Sequence, residues 1–140
     1  MSGEAGDGAT GSCLCGAVTY RVTGRLRPVV ACHCLQCRKT SGHFVAATSA
    51  PREAIEITGD VTWYRSSPEA YRGFCPICGS SLFWDGPGQN MSIHAGTLDG
   101  ATGLETAGHI FAAHKGDYYE ISDDLPRAEG DDPALTTVVS

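Results

Sequence analysis

Seven cysteines in three tight clusters constrain this chain more than any other feature of its 140 residues. The clusters are Cys13-x-Cys15, Cys32-x-Cys34-x-x-Cys37 and Cys75-x-x-Cys78. An odd number of cysteines cannot all pair as disulfides, and clustered cysteines cannot close the long loops from which disulfide bridges draw their stabilising effect. The clusters therefore predict thiolates that bind metal.

Two of the clusters predict one closed zinc site. Tetrahedral zinc with Zn–S near 2.3 Å places neighbouring sulfurs about 3.8 Å apart, so the ligands must arrive in close pairs. Cys75-x-x-Cys78 has the spacing of a zinc knuckle, and Gly79 can adopt the left-handed conformation that closes its turn. Cys13 and Cys15 would lie on one face of a strand, with the following glycine relaxing the backbone so that their side chains lean together.

The remaining thiolates, Cys32, Cys34 and Cys37, predict a second zinc site with one open position. Closed sites are structural, whereas a three-ligand site can polarise a carbonyl or bind a thiol or water. An alternative is a second structural zinc completed by His33 or His43. A redox role for a Cys-x-x-Cys pair is weaker, because neither pair is expected to lie in a βα unit.

The pattern of apolar residues and turns predicts one mainly β domain with little helix. Short β-rich runs recur between Gly, Pro, Asp and Ser signals, and no segment sustains a helical apolar period. The predicted strands are 16–23, 29–32, 44–48, 55–58, 61–65, 81–84, 91–94 and 109–112. We expect residues 1–10 to be a flexible N-terminus, 11–127 the zinc-binding domain, and 128–140 a mobile tail with at most one docked strand.

The net charge and the hydropathy of the sequence limit the kinds of partner that the protein can bind. A net charge of −6 without a basic patch argues against nucleic acid, and no apolar run is long enough to span a membrane. The first residues lack the features of a signal peptide, so we expect a cytoplasmic, reducing location. No feature of the sequence indicates an oligomeric state.

Four segments of the sequence together resemble the glutathione-dependent formaldehyde-activating enzyme family, which includes centromere protein V-like proteins. The segments are GSCLCGAVTYRV, ACHCLQCRKTSG, RGFCPICGSSLFW and HIFAAHKGDYYEISDDLP. The resemblance runs from about Gly11 to Arg127. It implies a tent-like fold of twisted antiparallel sheets clamped by zinc. It also implies a carbon–sulfur lyase that condenses glutathione with formaldehyde, or catalyses the reverse.

The same resemblance implies a division of roles among the cysteines. By this resemblance, the structural zinc ligands are Cys13, Cys15, Cys75 and Cys78, and the catalytic zinc ligands are Cys32, Cys34 and Cys37. The chain departs from the family at His43, where a small residue is more common. This histidine could fill the open position, act as an acid or base, or simply pack. A second departure is Gly116-Asp117-Tyr118, where relatives commonly carry Pro-Trp.

Arginines close to the clusters are candidates for holding the substrate thiol. Glutathione carries two carboxylates, and Arg38 and Arg72 lie near the cysteines in sequence. The expected partners are therefore a small thiol such as glutathione and an aldehyde. The competing hypothesis is a non-catalytic, zinc-stabilised module that binds another protein.

Overall fold

Ten β-strands in two sheets dominate the computed structural model, which describes residues 7–137. The strands are β1 (Asp7–Ser12), β2 (Thr19–Thr23), β3 (Val29–Cys32), β4 (Val45–Pro51), β5 (Ile55–Thr58), β6 (Thr62–Ser67), β7 (Ala70–Phe74), β8 (Ser81–Asp85), β9 (Asn90–His94) and β10 (Thr106–Ile110). The α-helices are α1 (Leu35–Ser41) and α2 (Pro133–Thr136), and single 3-10 turns span Arg52–Ala54, Ala95–Thr97 and Ala112–His114. The prediction of a mainly β fold with short helices is confirmed.

The strands form a three-stranded sheet, in the order β1-β2-β5, and a seven-stranded sheet, in the order β10-β3-β4-β9-β8-β7-β6. Every pair is antiparallel except β10 with β3, which is parallel. The parallel pair at this edge makes the large sheet a mixed one that is otherwise antiparallel. Within the described residues, no helix combines the length and the apolar character needed to cross a membrane.

The hydrophobic core joins the small sheet to the middle of the large one. Tyr20 and Val22 alternate with exposed residues along β2, as a half-buried strand requires. They pack with Phe83 of β8 and Ile93 of β9, both almost completely buried. The rings of Tyr20 and Phe83 meet edge to face at 5.3 Å between centroids. Burial of each such side chain contributes roughly 1.5–3 kcal/mol.

Two strands were missed by the sequence pattern because glycine interrupts them. β1 contains two glycines and lacks an apolar alternation. β7 contains Gly73, which pairs across the strands with Trp63. A Cβ at position 73 would lie 2.8 Å from the Trp63 ring, so the indole covers the glycine directly. Here glycine marks a close packing contact rather than the end of a strand.

Residues 7–10 and 128–137 belong to segments that the sequence predicted to be flexible, and both are ordered. The strand β1 begins at Asp7, inside the segment expected to be flexible, and residues 1–6 lie outside the described part. Residues 128–137, part of the predicted tail, are docked: Ala128 N–H donates to the His109 carbonyl at 3.0 Å, and α2 follows. These ten residues contain no strand. The assignment of residues 11–127 as the zinc-binding domain stays a prediction.

Candidate metal and substrate site

The first cysteine cluster joins the two sheets. Cys13 and Cys15 lie in the turn after β1, while Cys75 and Cys78 lie in the turn between β7 and β8. The four sulfurs all lie within 4.8 Å of one another. The Cys13 and Cys15 sulfurs are 3.7 Å apart, and those of Cys15 and Cys75 are 3.8 Å apart. This is the sulfur spacing of tetrahedral zinc, so four thiolates here fit that metal.

Turns, rather than a strand face, produce this spacing. Cys13 and Cys15 were expected on a strand, but the chain turns there and Gly16 has φ 83°. A strand would separate the two residues by about 6.6 Å, whereas a turn brings their sulfurs together. The prediction that Gly79 closes the other turn is confirmed, since its φ is 79°.

Backbone and side-chain donors surround the sulfurs of the knuckle. The N–H groups of Ile77 and Cys78 point at the Cys75 sulfur, at 3.4 and 3.5 Å. The Ser80 hydroxyl lies 3.1 Å from the Cys78 sulfur, and this contact lowers the pKa of Cys78 to about 5. Hydrogen bonds of this kind favour the thiolate form that a metal requires.

The second cluster comes from one short stretch of chain. Cys32 ends β3, Cys34 is the N-cap of α1, and Cys37 lies inside α1. Their three sulfurs lie within 4.8 Å of one another. The N–H of Cys37 donates to the Cys34 sulfur at 3.3 Å. This helix start explains how three cysteines within six residues can face one point.

The charges on the second cluster are strongly interdependent. Hydrogen bonds from Cys32 and Cys37 lower the pKa of Cys34 to about 2, whereas hydrogen bonds with Cys34 and Cys37, together with burial, raise the pKa of Cys32. Three thiolates cannot share this space without a cation between them. The three sulfurs therefore fit a divalent metal that leaves a coordination position open, as soft thiolates and zinc commonly do.

The prediction that neither Cys-x-x-Cys pair lies in a βα unit is wrong for one of the two pairs. Cys34 and Cys37 do lie at a strand-to-helix junction, that of β3 and α1. They are nevertheless part of a three-sulfur group that includes Cys32, which a two-cysteine redox motif does not require.

No histidine of residues 7–137 joins either sulfur group. His43, predicted as a ligand or catalytic group, follows Gly42, whose left-handed φ of 88° turns the chain away at the end of α1. Its exposed ring packs instead on Phe44 and Tyr119, with centroids 4.6 and 4.4 Å away. The structure thus does not place His43 among the sulfurs of the second cluster, and a catalytic role for it stays a prediction.

His33 points away from the sulfurs, because successive residues at the end of a strand face opposite sides. Its Nδ1 lies 2.6 Å from the Tyr119 hydroxyl, and its Nε2 lies 2.9 Å from His109 Nδ1. His109 Nε2 in turn lies 2.9 Å from the Asp123 carboxylate. We call these four side chains the histidine network. Sequence reasoning did not find it.

The donor and the acceptor of each hydrogen bond in the histidine network can be assigned by starting from the Asp123 carboxylate. A carboxylate only accepts, so His109 donates from Nε2, and with the ring in its neutral form Nδ1 is then an acceptor. His33 therefore donates from Nε2, and its Nδ1 accepts the Tyr119 hydroxyl proton. Burial lowers the pKa of His33 to about 4, which keeps its ring in the neutral form that this order requires.

A cavity of about 590 Å³ opens beside the second cluster. All three cysteines of that cluster line it, whereas none of the four cysteines of the first cluster does. Its volume is in the range of small-molecule sites. The hydroxyl of Ser49, which is 2% exposed, lines the cavity and has no hydrogen-bond partner among the described residues. The second cluster is thus the one that a small molecule can reach.

One of the two predicted arginines lines this cavity. Arg72 lies 3.9 Å from the Cys37 sulfur and 3.3 Å from the Gln36 side-chain oxygen, and it forms no ion pair among residues 7–137. Arg38 is not part of the cavity wall. His94 is part of it, and burial together with the charge of Arg72 lowers the pKa of His94 to about 4. The cavity therefore offers one free guanidinium and one neutral imidazole.

Comparisons with known proteins agree with this arrangement. Residues 8–114, which include all seven cysteines, match the protein family described as glutathione-dependent formaldehyde-activating enzyme. An uncharacterized lyase of Schizosaccharomyces pombe is 32% identical over 75 residues, which are 53% of this chain and 55% of that protein. The chain thus spans little more than half the length of this curated relative.

A solved structure shares the fold. The crystal structure of a Rhodobacter sphaeroides protein superposes with a TM-score of 0.55 at 23% identity, covering 69% of this chain and 97% of that one. At this identity the likeness establishes the common architecture alone.

Proposed function

The chain belongs to the glutathione-dependent formaldehyde-activating enzyme family, and from this premise we propose that it is a zinc-dependent carbon–sulfur lyase. In this proposal it joins a small thiol, glutathione or a close analogue, to formaldehyde or another aldehyde, or catalyses the reverse. The observation that carries the proposal is the position of the three-cysteine cluster on the wall of a cavity large enough for a tripeptide. The lyase name of the yeast relative supports the same class of reaction.

Each cluster would hold one zinc ion. The four sulfurs of the first cluster would close a structural site, and Cys32, Cys34 and Cys37 would hold the second ion. When bound there, zinc supplies a Lewis acid that lowers the pKa of a neighbouring thiol and polarises a carbonyl. The need for seven reduced thiols supports a cytoplasmic location.

The reaction forms one carbon–sulfur bond. The thiol sulfur adds to the aldehyde carbon, the electron pair of the carbonyl double bond moves to oxygen, and the thiol proton ends on that oxygen. Holding the two reactants together supplies most of the acceleration, because the step is otherwise bimolecular. The neutral ring of His94 can accept a hydrogen bond from the thiol or donate one to the forming hydroxyl.

Arg72 is the group that would hold the thiol substrate by a carboxylate. Its guanidinium lies beside the second cluster, and the described residues provide it with no acidic partner. A planar guanidinium binds a carboxylate through two parallel hydrogen bonds. A carboxylate bound there would place the rest of a short peptide along the cavity and its sulfur near Cys37.

The test is adduct formation by purified, zinc-loaded protein mixed with glutathione and formaldehyde. We expect Cys34→Ser to lose the activity, and Arg72→Gln to raise KM for glutathione by about tenfold, the value of one charge-assisted hydrogen bond. Arg65→Gln removes an equal charge from an exposed position outside the cavity and serves as the control. If wild-type and Cys34→Ser proteins give equal rates with several thiols, the catalytic proposal is wrong and a non-catalytic interaction module is favoured.

A further inference from the structure

His33 lies in the chain between two cysteines of the second cluster, Cys32 and Cys34. Its ring belongs to the histidine network and does not join the three sulfurs. Its backbone N–H donates to the Ile110 carbonyl at 3.0 Å, and Ile110 pairs with Cys32 across β10 and β3. The backbone that carries two of the three sulfurs therefore runs along β10.

The His33 ring is held in one orientation by its surroundings. It is 1% exposed, and each of its nitrogens has a hydrogen-bond partner, Tyr119 or His109. The rings of Phe44 and Tyr119 pack against it, with centroids 4.9 and 5.6 Å away. Turning the ring would break two hydrogen bonds of a buried group, which is unfavourable. The ring therefore restrains the backbone to which it is attached.

The partners of that ring are themselves anchored. His109 belongs to β10, and its Nε2 lies 2.9 Å from the Asp123 carboxylate. Asp123 in turn accepts the Leu125 N–H at 3.0 Å. The Lys115 ammonium donates to the Tyr119 backbone carbonyl and lies 5.0 Å from the centre of the Tyr119 ring. The network thus ties the start of the second cluster to β10 and to the chain that follows it.

The second cluster has a particular need for such an anchor. Its three sulfurs lie within 4.8 Å of one another, and they repel one another as thiolates. They come from one strand end and a helix of only seven residues. A site whose ligands are ordered before the metal arrives binds it more tightly, because binding then costs less conformational entropy.

We propose that the histidine network positions Cys32 and Cys34 to bind the metal. By fixing the His33 ring, it fixes the backbone between these two cysteines, so that their sulfurs converge with that of Cys37 before a metal binds. His33 and Tyr119 are positioning residues, since neither joins the sulfurs or lines the cavity. This inference rests on the proposed metal binding at the second cluster, but not on the reaction proposed there.

The test is removal of zinc from the zinc-loaded protein by increasing concentrations of a chelator, with the released metal measured by a colorimetric indicator. We expect two release phases, of which the one that Cys34→Ser alters belongs to the second cluster. Tyr119→Phe should weaken zinc binding in that phase by about tenfold, as contacts just outside a ligand set do, and leave the other phase unchanged. Tyr118→Phe, which removes a hydroxyl from a side chain that is 59% exposed and outside the network, should leave both phases unchanged.

A second pair of variants separates positioning from general stability. His33→Gln keeps a hydrogen-bond donor and an acceptor on the side chain, whereas His33→Leu keeps neither. His33→Gln should therefore retain more of the zinc affinity of the second cluster than His33→Leu. If His33→Leu does not fold, the comparison of Tyr119→Phe with Tyr118→Phe decides alone.

The outcomes separate this inference from the proposed function. A Tyr119→Phe protein whose second-cluster phase matches that of the wild type overturns the inference, even if it melts at a lower temperature, because the network then only stabilises the fold. Equal weakening of both phases overturns it as well. Neither result affects the proposed addition of a thiol to an aldehyde, which adduct formation tests. A wild-type protein that releases zinc from the first cluster alone overturns both the inference and the zinc-dependent reaction.

Discussion

Replacing Tyr119 with phenylalanine should destabilise the fold through a single buried histidine. The Tyr119 hydroxyl lies 2.6 Å from Nδ1 of His33, and His33 is 1% exposed. Without the hydroxyl, this nitrogen of a buried ring loses its hydrogen-bond partner among the described residues. Leaving a buried acceptor unpaired costs about 1–3 kcal/mol. For a chain of this length, that loss lowers Tm by about 4–12 °C.

The neighbouring tyrosine provides a matched control. Tyr118 also donates its hydroxyl proton, to the Gly42 carbonyl at 3.2 Å, but its side chain is 59% exposed. Water can replace this bond, so Tyr118→Phe should change the free energy of unfolding by less than about 0.5 kcal/mol. The measurement is urea unfolding of both variants and the wild type at one fixed zinc concentration. Equal stabilities of the two variants, or a Tyr119→Phe protein as stable as the wild type, would refute the reasoning about the histidine network.

Three further predictions test the packing, a buried phenol and the division between the clusters. Gly11→Ala places its Cβ against the hydroxyl of Tyr20 and should cost about 1–3 kcal/mol in urea unfolding, whereas Gly96→Ala, with open space around it, should be nearly neutral. Burial raises the pKa of Tyr20 to about 12, so the native state holds this proton more tightly than the unfolded chain. The resulting stability is complete below about pH 10 and is lost as the pH rises towards 12, a fall that Tyr20→Phe should remove from unfolding curves measured across this range. With zinc bound at the first cluster as proposed, Cys75→Ser should lower Tm more than Cys34→Ser, since metal binding that joins the two sheets would be part of the folding free energy; thermal melts in the opposite order would mean that the two clusters have exchanged roles.

The features that the sequence predicts well are those set by neighbours along the chain. Cys75 and Cys78 are three residues apart, so a turn closed by Gly79 is enough to bring their sulfurs together. The strand β2 follows from simple alternation, because one of its faces packs on the core and the other meets solvent. The division of seven cysteines into four and three follows from ligand count alone.

The features that the sequence predicts poorly depend on contacts between residues that are far apart along the chain. His33 and Tyr119 are 86 positions apart, and no periodic pattern links them. His43 follows the cysteines closely in sequence, yet its ring packs on Phe44 and Tyr119 and does not join the three sulfurs. The C-terminal segment appeared to be a tail because its composition is acidic and weakly apolar. Its order comes from Arg27, which donates to the Thr136 carbonyl from more than a hundred positions away.

The two clusters place different demands on the fold. The first draws its ligands from both sheets and buries two of them, with Cys75 at 0% and Cys13 at 3% exposure. Loss of a cysteine from the first cluster would weaken the link between the two sheets, which pack on one hydrophobic core. The second takes all its ligands from residues 32–37, so its geometry is set by one strand end and one short helix. The walls facing it can therefore vary without loss of the ligands.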